Sequence, residues 1–259
     1  MTVEALPSRR LGETARRDRW WRAPLLTAAG LIAFGIYSIV VVAMGTDFRY
    51  ERGGAEYLSP FYSPDLESWG LDVPFSSAFL VVWVPLGFRV TCYYYRKAYY
   101  RAFFLAPPAC AVAGRRGGRY RGEARFPFIL QNAHRYFFYL ATLVLAFLWY
   151  DTVRAFLFRG SDGTLHAGTG LGSLVLLANV VLLSLFTFGC NSFRHLVGGR
   201  LDCFTCSATA RTRHGLWRRV SVLNGRHMQW AWISLGAVAL SDLYIRLAAA
   251  GVFDDPRLL

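Results

Sequence analysis

Lysine is nearly missing from this sequence. Of 29 basic side chains only Lys97 is lysine and the rest are arginine, a bias that points to the codon usage of a GC-rich genome more than to chemistry. Charged residues of every kind are scarce, at 17 % of the chain, whereas hydrophobic residues supply 54 % and aromatics 16 %. That balance argues against a soluble α/β enzyme and for a membrane protein. No internal repeat and no compositionally separate soluble domain is found. The segment Ala23 to Met44, APLLTAAGLIAFGIYSIVVVAM, has no charged side chain in 22 residues. At about 1.5 Å per residue it reaches roughly 33 Å, the thickness of a bilayer's hydrocarbon core. It is too long for the apolar part of a cleaved signal peptide, and no small-residue cleavage site follows it.

Four further apolar stretches, about 75–95, 127–150, 171–190 and 227–249, are punctuated by Gly, Pro or charge as spanning helices are. The expected fold is an all-α integral membrane protein. One five-helix bundle fills 23–251, between a basic segment at 1–22 and a short tail at 252–259. Twenty-one of the 29 basic residues fall in 1–22, 96–126 and 193–226, five fall in 45–75, 151–169 and 252–259, and Arg89, Arg135 and Arg246 lie within spans. Under the positive-inside rule the N-terminus is cytoplasmic and the C-terminus outside, in the cytoplasmic membrane of a bacterium. The net charge of +13 then reflects topology first, anionic lipid or an acidic partner second, and not nucleic acid.

Soft metal ligands gather on the cytoplasmic side of this scheme. Cys92 lies near the inner end of the second span and Cys110 in the loop after it. His134 lies shortly inside the third span, Cys190 and His195 close the fourth, and His227 opens the fifth. The stretch GCNSFRHLVGGRLDCFTC adds Cys203 and Cys206 in a basic loop, where their Cys-x-x-Cys spacing has no second such pair to complete a zinc site. Thiols in the cytoplasm are kept reduced, so disulfides are not the first explanation for them. Thiolate and imidazole at one level suit zinc, haem iron or an iron–sulfur cluster. A cysteine in a membrane helix is also an ordinary packing residue, but a histidine in a span is costly enough to imply function.

Polar residues add a second layer. Gln131, His134 and Arg135 are expected on one patch at the start of the third span, one helical turn apart. The aromatic run TCYYYRKAYYRAFF, 91–104, continues the second helix into the interface, either as an aromatic belt or as a wall for a flat ligand such as a quinone, with Arg96 or Lys97 near its oxygens. Arg89 and Asp242 lie within spans, too far apart in depth to pair, and Arg246 is expected to reach the outer interface.

Four blocks, TCYYYRKAYYRAFFLAPPACAV, FPFILQNAHRYFFYLA, GCNSFRHLVGGRLDCF and LNGRHMQWAWISL, together resemble the actinobacterial membrane-anchor subunits of succinate dehydrogenase, five-helix relatives of the cytochrome b-type subunit of succinate dehydrogenase and fumarate reductase. The resemblance implies a flavoprotein subunit that oxidises succinate, an iron–sulfur subunit docked on the cytoplasmic face, and quinone reduction in the membrane subunit, which does not itself bind succinate. It also implies a membrane-embedded Rieske-type [2Fe–2S] cluster held by two cysteines and two histidines. The expected ligands come from Cys92, Cys110, Cys190, His134, His195 and His227, and the quinone contacts from Arg96, Gln131 and Arg135. Two haems would need four axial histidines, more than the spans hold. One haem b, or an anchor with no redox group, stays open as an alternative.

Overall fold

The computed structural model describes residues 10–71, 73–115, 122, 124–126 and 128–258. Part of the expected basic N-terminus, the arginines between 116 and 121, Pro127 at the expected start of the third span, and Leu259 lie outside them. The chain forms two compact units: Met1–Ile36 with Arg89–Ala133, and Tyr37–Phe88 with His134–Leu259. In chain order the elements are helix α1 (Arg22–Met44), strands β1 (Arg49–Arg52) and β2 (Ala55–Leu58), α2 (Phe79–Thr91), α3 (Tyr93–Phe103), α4 (His134–Arg154), strands β3 (Leu157–Arg159) and β4 (Leu165–Ala167), α5 (Leu171–Phe188), α6 (Asn191–Gly198), α7 (Ala208–Gly225) and α8 (His227–Ala249). Short 3-10 segments, Pro60–Tyr62 and Phe128–Ala133, precede α2 and α4.

Among the described residues four helical stretches are long and apolar enough to cross a membrane: Arg22–Met44, Phe128–Arg154, Leu171–Phe188 and His227–Ala249. The expected second span is shorter than its apolar run. α2 has 13 residues, with Pro85 inside it, and ends because Cys92 adopts an extended backbone (φ −64°, ψ 130°) before α3 starts. Thirteen residues rise only about 20 Å. No Gly or Pro marks that break, so the tyrosine-rich run reads as continuous helix in the sequence. The fold is also not purely helical, since β1–β2 and β3–β4 are antiparallel hairpins at the turns where polar residues replace apolar ones. The expected basic loop after the fourth span is itself helical, forming α6 and α7.

In the first unit the N-terminal segment pairs with the loop after α3. Gly12 N–H donates to the Ala113 carbonyl (2.8 Å), Ala113 N–H to Glu13 (2.9 Å), and the Thr14 hydroxyl to Ala111 (2.7 Å). In the second unit α5 packs most extensively on α8. The buried residues of α5 include Gly172, Ser173, Leu176 and Asn179, with Val180 packed on Leu145 and Leu148 of α4, and those of α8 include Ala231, Ser234, Leu235, Ser241, Ile245 and Ala248. Small side chains let two backbones approach, which supplies packing where lipid removes the hydrophobic drive between helices. Tyr50, Ala55, Tyr57, Ala155, Phe158, Leu176, Ile245 and Ala248 form the core under the hairpins. Leu26, Ile39 and Leu240 are among the large apolar side chains facing outward, as lipid contact requires.

Candidate functional site

Three helix ends meet at one end of the second unit: the start of α4, the end of α5 and the start of α8. α5 stops at Gly189, and a Cβ there would press on the Leu185 carbonyl and lie 3.6 Å from His227 Nδ1. Asn224 Nδ2 donates to the Gly189 carbonyl at 2.9 Å, fixing this turn to the end of α7. Cys190 follows as the N-cap of α6, buried, with its sulfur accepting from Ser192 N–H at 3.3 Å. His134, the first residue of α4, places Nε2 2.9 Å from Cys190 Sγ.

Aromatic rings hold the imidazoles in place. His134 lies parallel on Phe88 (centroids 4.7 Å apart, 1° between planes), Phe88 meets Phe186 edge to face (5.4 Å), and Phe186 stacks on His227 (5.1 Å, 14°). A thiol and two imidazoles from three helix ends thus share one aromatic pocket. The two phenylalanines were not recognisable as site residues, because a phenylalanine in a span is indistinguishable from lipid-facing or core packing until its neighbours are known.

The other expected ligands are placed differently. His195, on α6, is exposed, with Arg135 Nη2 3.5 Å from its Nδ1 and Gly199 beneath its ring. Cys92 is buried at the N-cap of α3 in the first unit, four residues along the chain from Phe88. Cys110 is exposed, and its carbonyl accepts from Arg16 Nη1 at 2.9 Å. Cys203 and Cys206 are joined by a disulfide, against the expectation of reduced thiols. Among the described residues no three His, Cys, Asp or Glu side chains form a group able to hold a metal ion. The donor chemistry of the His134–Cys190–His227 pocket nevertheless suits soft iron.

The polar patch expected at the start of the third span is divided. Gln131 lies on the 3-10 segment and Arg135 on α4, so the helical-turn spacing does not join them. In the first unit Gln131 Nε2 donates to Tyr99 Oη (3.5 Å), and its buried Oε1 accepts no hydrogen bond from the described residues. Burial pushes the Tyr99 hydroxyl above its ordinary range, so it stays protonated. The Arg96 guanidinium lies over the rings of Tyr93 (4.8 Å) and Phe128 (5.2 Å), with Tyr100 packed against Phe128 (6.1 Å).

At the opposite end of the second unit the charges in the fifth span find partners that the sequence reading missed. Asp242 is fully buried and accepts hydrogen bonds from Tyr37 (2.5 Å), Ser59 and Arg246 Nε (2.9 Å). Arg246 does not reach for the interface. It is 8 % exposed, donates to the carbonyls of Thr46 and Val41, and lies over the Tyr62 ring. The four-residue spacing of Asp242 and Arg246 on one helix was the available signal.

Apolar helices of spanning length, with a thiol–imidazole pocket where three of them end, define a multi-pass membrane subunit of the respiratory type. The chain belongs to the family of the actinobacterial succinate dehydrogenase subunit SdhC, whose model matches residues 22–251. It is thus a membrane-anchor subunit of succinate dehydrogenase and a multi-pass protein of the bacterial cytoplasmic membrane. A chain of the solved structure titled "Mycobacterium smegmatis Sdh1 complex in the apo form" is similar at 43 % identity, with a TM-score of 0.85 and 98 % of each chain covered. No curated protein matches.

Proposed function

We propose that this anchor crosses the membrane five times with its N-terminus in the cytoplasm, α2 being the short crossing and α3 its interfacial continuation. In this reading the basic cytoplasmic surface receives the iron–sulfur subunit of succinate dehydrogenase, which carries electrons from the flavoprotein subunit. A Rieske-type [2Fe–2S] cluster would take Cys190 as a thiolate and His134 and His227 as imidazoles. Such a group supplies one-electron transfer at a potential raised by its imidazole ligands. The observation that carries this reading is the gathering of a buried thiol, Cys190, and two imidazoles, His134 and His227, from three helix ends in one aromatic pocket. His195 and Cys110, both exposed, are left outside the set.

The protein's own residues have definable tasks. Stacking on Phe88 and Phe186 fixes the ring planes of both histidines, and burial of Cys190 keeps water from its sulfur. Quinone is assigned to Arg96 and Gln131 of the first unit. A guanidinium donates to a quinone carbonyl and stabilises negative charge as it develops there. A quinone only accepts hydrogen bonds, whereas a quinol also donates. Gln131 Oε1, without a hydrogen-bond partner among the described residues, therefore favours the reduced product.

The test is to purify the assembled complex carrying His134→Ala, His227→Ala or Cys190→Ser. Loss of about two iron atoms per complex, of the Rieske-type EPR signal, and of at least tenfold in succinate-to-quinone activity is expected, with succinate oxidation by artificial dyes retained. Full iron and activity in all three variants would remove the cluster from this pocket. A Soret band in the wild-type complex would instead favour haem b.

A further inference from the structure

The disulfide between Cys203 and Cys206 has no part in the proposed electron path. Its surroundings give it a chemistry of its own. The loop CFTC stands directly before α7, whose N-cap is Ser207, with that hydroxyl accepting from Ala210 N–H at 3.1 Å. The first turn of α7 holds no acidic residue, and Arg211 follows within it. A helix N-terminus favours a thiolate at the cysteine before it, and Asp202 next to Cys203 opposes it there. Cys206 is exposed, whereas Cys203 is partly covered and its sulfur accepts from the Cys206 backbone N–H at 3.2 Å.

We propose that Cys203 and Cys206 form a redox-active pair, closed as a disulfide here and opened by a dithiol reductant. The thiolate of the dithiol attacks the exposed Cys206 sulfur, and Cys203 leaves as a thiolate stabilised by the Cys206 N–H. The second thiol of the reductant then attacks its own sulfur in the mixed disulfide and releases Cys206. Two electrons and two protons pass to the pair, and the reductant becomes a disulfide. The exchange chemistry stands on the local geometry alone. Its setting rests on the topology proposed above, which puts the loop in the cytoplasm, where a disulfide in an otherwise reduced protein is transient and redox-sensing.

The pair is mechanically linked to α6. Phe204, between the two cysteines, stacks on His214 (4.5 Å), and His214 stacks on Trp217 (5.9 Å). Arg194 of α6 lies over the Trp217 ring (4.7 Å), and Gly198 admits that ring because a Cβ there would overlap it. Arg213 of α7 donates to the Val197 and Gly199 carbonyls at 2.9 and 2.8 Å, closing the end of α6. Opening the disulfide releases Phe204 from this ladder and loosens the α6–α7 hairpin.

The experiment equilibrates the purified complex with reduced and oxidised dithiothreitol at varied ratios, quenches with acid, and alkylates. Two additional alkylated thiols, mapped to Cys203 and Cys206, are expected in reducing mixtures, with full return on oxidation. Amide hydrogen exchange over Asn191–Gly198 should rise at least about threefold in the reduced form, and Cys203→Ser should show the faster rate at every ratio. A pair that stays alkylatable under oxidant, or that opens only after denaturation, overturns the proposal. Exchange that is identical in both redox states overturns the link to α6. Membrane-impermeant maleimide tests the setting separately: labelling of the reduced pair in inside-out vesicles but not in spheroplasts is expected. The reverse pattern would refute both the cytoplasmic setting and the proposed topology, while leaving the exchange chemistry standing.

Discussion

The two ends of the second unit use polar groups in opposite ways. At the hairpin end two buried charges are answered: Asp242 by Tyr37, Ser59 and Arg246, and Arg246 further by two backbone carbonyls. Asp255 accepts from Tyr57 (2.8 Å), Tyr244 and Gly172 N–H (2.7 Å). At the other end a thiol and two imidazoles meet among stacked rings. The first end joins charges and hydroxyls in a network that low dielectric makes rigid, whereas the second gathers soft donors among aromatic faces.

Substitutions can break or sharpen that contrast. The largest stability effect is expected from Asp242→Ala, which leaves Arg246 buried without its counter-charge and should cost about 3–5 kcal/mol in detergent unfolding. A loss below about 1 kcal/mol would mean the hairpin end is no lock. Next comes Gly170→Ala, whose Cβ would overlap Tyr57 and Asp255, with an expected cost of about 1–3 kcal/mol by the same measurement. His134→Ala should reverse the pattern, with a smaller loss of stability than Asp242→Ala but loss of iron, and equal effects on both readouts would erase the distinction.

A pH titration probes the same lock more gently. Burial first, then the hydrogen bond to Asp255, raise the Tyr57 hydroxyl above its ordinary 10.0. A group raised on folding contributes stability that is complete below the unfolded value and lost as pH climbs beyond it. Unfolding midpoints should therefore fall above about pH 10, and Tyr57→Phe should flatten that fall; an unchanged profile would show that Tyr57 ionises as freely as in the unfolded chain. Least affected should be Arg52→Ala, since its pair with Asp254 (3.4 Å) is solvent-exposed and is expected to be worth within about 0.5 kcal/mol.

Legibility in the sequence followed period and composition. Long uncharged runs such as 23–44 announce spanning helices because hydrocarbon leaves a backbone few other options. The break at Cys92 left no such trace, since its extended backbone follows from packing and not from a Gly or Pro. α7 was hidden for a different reason: Arg-rich and weakly apolar, it reads as loop. In the candidate site, Cys190, His134 and His227 stood out as costly residue types at one depth. Phe88 and Phe186 did not, because only contacts separate a ring that aligns an imidazole from one that fills space. Exposure separated His195 and Cys110 from the rest, and exposure is not written in residue type.

Asp242 and Arg246 sit one turn apart near the end of α8, and this has a consequence for biogenesis. The last crossing carries its own counter-ion, so it can leave the insertion machinery as an electrically neutral rod before any other segment is in position. Tyr37 and Ser59 then dock onto a pair already formed. Assembly can therefore proceed in stages, with no lone charge stranded in lipid while it waits for a neighbour.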